Sequence, residues 1–192
     1  YESTDERGID VAFIYKEELF DLDSSVQIKV EMFDERPTRD ILHVRLSRDT
    51  ATYDVFINHW PSRYGGVLET EEKRKRAALV LQHYLIHQQV KHPIVMGDFN
   101  DPTTGRAIEW LEKVSKLKSL ELYSGRQVGT LKYRSHWYNY DQILVGEKLE
   151  QYVEEAKIFC PDWLLEEDEL YEGIAPKRFF RGDKFNDGYS DH

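Results

Sequence analysis

The sequence has almost no cysteine, since Cys160 is the single one among 192 residues. One thiol excludes an intramolecular disulfide, and it cannot supply the set of thiolates that a structural zinc site uses. The apolar residues before it, in AKIFCPDW, indicate the end of a buried strand. We therefore interpret Cys160 as a packing residue.

Long apolar runs and excess positive charge are also missing. No stretch approaches the ~20 consecutive apolar residues that a membrane-spanning helix needs. Lys and Arg number 26 against 36 Asp and Glu, which gives a net charge of -10. This balance argues against nucleic-acid binding by broad neutralisation of phosphates. It leaves room for a local basic patch, or for a bound cation that offsets the charge.

What the chain does contain is typical of a folded domain. Hydrophobic residues make up 40% and aromatic residues 13% of the sequence, which excludes a disordered chain. We predict one domain over residues 1–192. Hairpin and strand–helix–strand connections occur together, which predicts an α/β (α+β) fold with helices covering mixed sheets. The predicted strands are Ile9–Tyr15, Val26–Phe33, Ile41–Leu46, Tyr53–Asn58, Pro93–Gly97, Tyr138–Val145 and Tyr152–Phe159; the helices are Glu69–Val90, Thr104–Val114 and a short acidic one in DWLLEEDELYEG, followed by a loop from Ala175 to the end.

Polar residues stand where several of these strands end. Asn58-His59-Trp60 follows YDVFI, Asp98 and Asn100 follow PIVMG, and Asp191-His192 closes the chain. Asp141 lies inside the otherwise apolar YDQILV, where an unpaired carboxylate would be costly. Loops at strand ends are where binding and catalytic sites are usually built.

Each of these groups, taken alone, has an ordinary structural interpretation. His59 could simply close a strand, and GDFND could be an Asx-type turn. His83 and His87 have the i, i+4 spacing of a two-histidine metal site, but no Glu stands between them to act as a base. We interpret that pair as a partly exposed helix flank.

Taken together, the strand-end groups predict a different chemistry. Carboxylates and an amide without thiolates suit a hard cation with oxygen ligands, such as Mg²⁺ or Mn²⁺. Histidines beside carboxylates suit proton transfer and the stabilisation of negative charge. Hydrolysis of a phosphate ester needs both, together with an oriented water.

Four sequence blocks, INHWPSR, PIVMGDFND, YDQILV and the terminal SDH, occur in this order. They resemble the endonuclease/exonuclease/phosphatase superfamily, the deoxyribonuclease I-like proteins. DERGIDVAFIY and RPTRDILHV resemble a bacterial branch of it. The resemblance implies a four-layer sandwich of two mixed β-sheets flanked by helices.

The resemblance also implies roles for individual residues. Asp98 and Asn100 would orient the attacking water and bind phosphoryl oxygens, and Asp191 would be a metal ligand. His192 would contact the scissile phosphate, with Asp141 holding its imidazole in the working tautomer. The remaining assignments are His59, for phosphate contact or protonation of the leaving group, and Arg63 and Arg74, as contacts to the substrate phosphate.

The sequence departs from the superfamily pattern at both ends. The strands that carry an Asn and the main metal-binding Glu would precede Tyr1, and a last strand would follow His192. We therefore expect the sandwich to be incomplete in this chain and truncated at both ends. The chain alone would then bind Mg²⁺ weakly and be inactive unless a companion N-terminal fragment supplies the missing strands.

These expectations favour a divalent-metal-dependent phosphoesterase that acts by water attack. Its substrate is a phosphodiester or a phosphomonoester, with nucleic acid as one option, so nuclease and phosphatase both stay open. The alternative is a non-catalytic binding or scaffolding member of the same fold. Localisation stays open, and a bacterial exported protein whose signal peptide lies upstream of Tyr1 is compatible with the sequence.

Overall fold

The structure is a computed structural model that describes residues 8–32 and 38–192. The chain divides into two compact units, each made of two stretches of sequence. Unit 1 comprises Tyr1–Leu120 and Asp141–Glu154, and unit 2 comprises Glu121–Tyr140 and Glu155–His192. A single domain over residues 1–192 therefore stays a prediction.

Strands outnumber helices within the described ranges. Unit 1 contains the large sheet and the two long helices, and unit 2 contains only short strands and turns. In chain order the elements are β1 (Asp21–Ile28), β2 (Ile41–Arg48), β3 (Ala51–His59), α1 (Val67–His87), β4 (Pro93–Asp98), α2 (Arg106–Ser115), β5 (Leu117–Ser119), β6 (Leu131–Tyr133), β7 (His136–Tyr138), β8 (Asp141–Gly146), α3 (Glu147–Glu150), β9 (Leu165–Glu167), β10 (Ile174–Pro176), β11 (Phe180–Arg181) and β12 (Lys184–Phe185).

The large sheet has six strands in the order β1-β2-β3-β4-β8-β5. β3 and β4 are parallel, because α1 connects them as a crossover. The other neighbouring strands of this sheet are antiparallel. The predicted mixed α/β architecture, with helices covering a mixed sheet, is confirmed.

The predicted strands Ile41–Leu46 and Tyr53–Asn58 form the β2–β3 hairpin, which confirms both strands. Arg48 pairs with Ala51, so only Asp49 and Thr50 form the turn. Asp49 adopts a φ of 53°, a left-handed conformation that aspartate tolerates better than most residues.

Hydrophobic side chains cover both faces of the large sheet. The helix-facing side packs against α1 and α2, as the predicted 3.6-residue periodicity requires. The opposite side near β2 packs against the segment before β1. No helix in the described ranges combines the length and the apolar character needed to cross a membrane. The buried side chains between helices and sheet include Ile41, Phe56, Ala77, Ala78, Leu81, Leu85, Val95, Ile108, Leu111 and Leu144.

The predicted strand Ile9–Tyr15 is wrong, because residues 8–16 pair with no strand. The alternation in its sequence still has a structural cause. Val11 is buried, and Phe13 and Tyr15 are partly buried against β2, while the residues between them face solvent. The pattern thus identified the packing face correctly but could not show whether a hydrogen-bonding neighbour exists.

Three predictions in the chain after residue 150 also need correction. Tyr152–Phe159 forms no strand, and only one isolated bridge joins Lys157 to Tyr123. The acidic helix is replaced by a 3-10 turn at Asp162–Leu164 followed by β9, which pairs with β10. The predicted terminal loop contains the β11–β12 hairpin. These segments are too short for hydrophobic periodicity to separate strand from turn.

Candidate functional site

Three polar side chains form a row across the large sheet in unit 1. β-strand register places His59 beside Asp98, and Asp98 beside Asp141. Because side chains alternate along each strand, the row lies on the face opposite to Phe56 and Val95, which pack under the helices. The row therefore lies on the sheet face away from α1 and α2.

The distances within the row are short. His59 Nε2 lies 3.5 Å from Asp98 Oδ2, and both side chains remain partly accessible. A carboxylate oxygen of Asp98 lies within 4.8 Å of one of Asp141. Two carboxylates this close repel each other, and a cation relieves that repulsion.

Asn100 fixes the Asp98 carboxylate in place. Its backbone N–H donates to Asp98 Oδ1 at 2.7 Å, and its Nδ2 donates to Asp98 Oδ2 at 3.0 Å. The same Nδ2 donates to the carbonyl of Trp60 at 3.0 Å, which ties the loop after β4 to the end of β3. Asn100 has a φ of 49°, a left-handed conformation that asparagine tolerates and that brings its side chain back toward Asp98.

A second layer of polar contacts supports the row from the helix side. Asn58 donates to the carbonyls of Phe56 and Met96, at 3.1 and 3.3 Å. Trp60 Nε1 donates to Asn58 Oδ1 at 3.0 Å, and the Trp60 ring packs edge-on against Phe99 with centroids 4.8 Å apart. These contacts hold the ends of β3 and β4 together where His59 and Asp98 project.

Gly97 lies between the two strand ends and has no room for a side chain. Its φ is 128°, and a Cβ built on it would lie 2.0 Å from the carbonyl oxygen of Asn58. Only glycine adopts this conformation and permits this approach. The glycine of GDFN is therefore a packing requirement for placing His59 against Asp98.

Asp101 anchors the loop that follows Asn100. It is buried, and its carboxylate lies 3.6 Å from Arg74 Nε and 3.9 Å from Arg63 Nη2. Gln142, buried in β8, donates to the Asp101 carbonyl. Arg74 also donates to Thr70 Oγ1 at 2.8 Å and to the Val67 carbonyl at 3.1 Å.

Burial governs the charges of this anchor. It raises the pKa of the Asp101 carboxyl, against the opposing attraction of Arg74 and Arg63. It likewise lowers the pKa of the Arg74 guanidinium, against the attraction of Asp101. Each group is thus costly to bury alone, and the ion pair offsets that cost.

The structure groups four of the eight sequence-predicted site residues. His59, Asp98, Asn100 and Asp141 lie together in unit 1, because the pairing of β3 with β4 and of β4 with β8 brings their strand ends side by side. Arg63 is tied to the loop after β4 by its ion pair with Asp101, and its side chain stays partly accessible to solvent. Asp191 and His192 belong to unit 2, where the His192 N–H donates to Ser190 Oγ at 3.3 Å.

Arg74 is placed differently from what the sequence suggested. Its side chain is fully buried and is held by Asp101, Thr70 and Val67. This geometry favours a supporting role over a contact with the substrate phosphate.

The sequence-based assignments did not include Asp101 and Gln142, two residues that hold the loop after β4 in place. Gln142 and Asp101 bridge β8 to the loop after β4. The signal for Gln142 was a polar residue inside the apolar run YDQILV, where it stands directly after Asp141.

The sequence model of the Endonuclease/Exonuclease/phosphatase family matches residues 1–192. No curated protein sequence gives a significant match.

Several solved structures share the fold. The catalytic domain of human Nocturnin with bound sulfate is 21% identical, with a TM-score of 0.53 over 68% of this chain and 50% of its own. A mannosyl-6-phosphatase from Bacteroides thetaiotaomicron is 16% identical, with a TM-score of 0.53 over 69% and 55%. A mutant beta toxin of Staphylococcus aureus with bound magnesium ions is 10% identical, with a TM-score of 0.55 over 67% and 50%. The chain spans about half the length of these structures, and at such identities the likeness supports the deoxyribonuclease I-like fold alone.

Proposed function

Because the chain belongs to the endonuclease/exonuclease/phosphatase family, we propose that it forms part of a divalent-metal-dependent phosphoesterase that acts by water attack. Family membership supports a phosphoesterase-type hydrolase as the general class. The observation that carries the finer proposal is the row of His59, Asp98 and Asp141 across three adjacent strands. A cation site, a water-orienting carboxylate and a proton donor can all be built from that row.

The donor chemistry of the row fits a hard divalent cation. Asp98 and Asp141 offer carboxylate oxygens within 4.8 Å of each other, and such ligands suit Mg²⁺ or Mn²⁺. From the resemblance alone, Asp191 is proposed as a further metal ligand. A bound ion of this kind would polarise a phosphoryl oxygen and stabilise the charge that develops on it.

Asp98 and Asn100 are proposed to orient the attacking water. The Asp98 carboxylate is held by two hydrogen bonds from Asn100, so it cannot rotate freely. A carboxylate fixed in this way can accept a hydrogen bond from water in one defined direction. Asn100 in turn is fixed by the carbonyl of Trp60.

In the proposed reaction, the proton donor is a histidine. His59 Nε2 lies 3.5 Å from Asp98 Oδ2, a distance at which an imidazolium and a carboxylate attract each other. A protonated His59 would donate to a phosphoryl or leaving-group oxygen. From the resemblance alone, His192 is proposed to share this task at the scissile phosphate.

The substrate is proposed as a phosphate ester held at a single phosphate. A net charge of -10 disfavours binding along an extended polyanion, so recognition would rest on Arg63 and the row. Similar folds occur in a mannosyl-6-phosphatase and in a sphingomyelinase C from Streptomyces griseocarneus. Both support an ester substrate without choosing between phosphatase and phosphodiesterase.

The decisive experiment compares Asp98→Asn with Asp49→Asn, a hairpin-turn aspartate, in the protein expressed from the open reading frame that encodes this chain. Both changes remove one carboxylate charge, but only Asp98 lies in the row. The substrates are p-nitrophenyl phosphate, bis(p-nitrophenyl) phosphate and plasmid DNA, each with MgCl₂ and with EDTA.

We expect the Asp98→Asn variant to lose turnover by ~10²-fold or more, while Asp49→Asn retains it. Equal activity of the Asp98 variant and the control would refute the site. If the wild-type protein hydrolyses none of these esters with Mg²⁺ or Mn²⁺, the non-catalytic binding or scaffolding alternative gains support.

A further inference from the structure

An exposed pair of histidines lies on α1, on the helix side of the large sheet. His83 and His87 are separated by one helical turn, and both side chains are exposed. Their ring centroids are 4.1 Å apart, with the ring planes tilted by 53°. From this geometry we propose that the pair binds a borderline transition-metal ion, such as Ni²⁺, Zn²⁺ or Cu²⁺, through one nitrogen of each imidazole.

The spacing supplies the chelating geometry. Residues i and i+4 lie on the same face of an α-helix with Cβ atoms ~5–6 Å apart. Two nitrogens that bind one ion at ~2.0–2.1 Å each must come within ~3–4 Å of each other. Rings whose centroids are already 4.1 Å apart need only side-chain rotation to reach that separation.

The backbone under the pair is rigid enough to preserve this arrangement. α1 runs over 21 residues, and its buried face is anchored in the core through Leu81 and Leu85. The two histidines alternate with these anchors and point away from them. Binding therefore requires no unfolding, and bringing the ligands together costs little conformational entropy.

The pair is also free of competing partners. Among the described residues, neither imidazole accepts or donates a hydrogen bond, and neither is in an ion pair. No third His, Cys or carboxylate of the described ranges joins them in a three-ligand group. The remaining coordination positions would be filled by water.

This site differs in chemistry from the row on the opposite sheet face. Asp98 and Asp141 offer oxygen ligands suited to Mg²⁺, whereas imidazole nitrogens suit Zn²⁺, Ni²⁺ and Cu²⁺ and bind Mg²⁺ poorly. The two sites should therefore respond to different ions. The histidine pair should bind Mg²⁺ much more weakly than Zn²⁺ or Ni²⁺, and it should bind Cu²⁺ most strongly.

The test is a Ni²⁺ titration of tag-free protein by isothermal titration calorimetry, with 10 mM MgCl₂ present to occupy oxygen-ligand sites. The key variant is the exchange Gln82→His/His83→Gln, which keeps the composition but changes the spacing to five residues and turns one histidine to another face. His87→Ala is the second variant, because alanine at an exposed helix position preserves folding. His136→Ala, a single exposed histidine on β7, is the control.

We expect one Ni²⁺ binding event in the wild-type protein and in the His136 control. Both α1 variants should bind ~10-fold or more weakly, because chelation is lost. Circular dichroism of each variant establishes that α1 is intact. Unchanged affinity in the exchange variant, or no Ni²⁺ binding by the wild-type protein at millimolar concentration, would overturn the proposal.

Discussion

Gly97 shows how a single residue determines whether a site can form. Its φ of 128° and its contact with the Asn58 carbonyl leave no space for a Cβ atom. The residues on either side of this contact, His59 and Asp98, are the ones that the row requires to be adjacent. The short motif GDFN therefore combines a chemical residue with the packing residue that positions it.

Replacing Gly97 with alanine should destabilise the protein by about 2–4 kcal/mol, because the new methyl group must displace the backbone of β3 and the strained φ is retained. Chemical denaturation monitored by tryptophan fluorescence measures this change. Gly125→Ala is the matched control, since a Cβ there meets nothing within 4 Å. A Gly97 variant as stable as this control would show that the site is not held by that approach.

His43 shows that a histidine can be buried for structural reasons. Its Nε2 lies 2.8 Å from Asp54 Oδ1, its Nδ1 lies 3.1 Å from the Tyr84 hydroxyl, and its ring stacks on Phe56. Arg45 donates to the same Asp54 oxygen. Burial lowers the pKa of the His43 imidazole, and the hydrogen bond to Asp54 opposes this shift only in part.

The lowered pKa has a defined consequence for stability. The folded state favours neutral His43, whereas the unfolded chain binds a proton at about pH 6.5. The unfolded state then holds more protons below that pH, so the free energy of unfolding should fall as the pH drops from about 7.5 to about 5.5. Urea denaturation at both pH values tests this.

The His43→Phe variant should lose much of this pH dependence, while His136→Asn should keep it. His136 is exposed on β7 and serves to correct for the removal of one histidine. An equal pH slope in the wild-type protein and the His43 variant would contradict the assignment.

At the scale of elements, α1 does more than cover the sheet. Its first half carries Arg74, which is buried against the loop after β4 through Asp101. The helical pattern of the sequence located α1 correctly, because apolar residues recur at Ala77, Leu81 and Leu85. In the polar stretch ETEEKRKR at the start of this helix, by contrast, Thr70 and Arg74 are buried, which only the packing reveals.

Arg74→Met should lower the free energy of unfolding by about 2–4 kcal/mol, because among the described residues it leaves the buried Asp101 carboxylate with Arg63, at 3.9 Å, as its cationic partner. The double variant Arg74→Met/Asp101→Asn should recover part of this loss, which a double-mutant cycle measures. Arg48→Met, at an exposed arginine of the β2–β3 hairpin, is the control. If Arg74→Met instead leaves stability intact and raises KM for the ester, the substrate-contact role predicted from the sequence would be restored.

The strands show the same division between local pattern and tertiary context. β2, β3 and β4 were predictable because β-branched and apolar residues alternate or run together between turn residues. Ile9–Tyr15 has an equally good alternation, but it finds no partner strand. In unit 2, β11 and β12 pair over only two residues each. Strands this short produce no periodic pattern in the sequence.

At the scale of the whole molecule, charge links the site to stability. The chain carries a net charge of -10, and two of its carboxylates face each other in the row. A divalent cation at that row would bind the folded state selectively and stabilise it.

We therefore expect 10 mM MgCl₂ to raise the melting temperature by about 2–4 °C, the shift that fits ~1 kcal/mol of binding energy in a chain of this size. Asp98→Asn/Asp141→Asn should abolish the rise, and Asp49→Asn/Asp183→Asn, which removes the same two negative charges from hairpin turns, should preserve it. Differential scanning fluorimetry measures all three proteins. The same Mg²⁺ response in both double variants would place the ion elsewhere.

The sequence by itself located the residues of the proposed site but not their arrangement. It identified the residue types suited to a phosphate ester, the strand ends that carry them and the two long helices, because these depend on local periodicity and short motifs. Only the tertiary structure decided which of these residues meet: strand register brings His59, Asp98 and Asp141 into one row, and burial turns Arg74 toward Asp101. The physical reason is that register and burial are set by contacts between residues far apart in the chain, which no local pattern encodes.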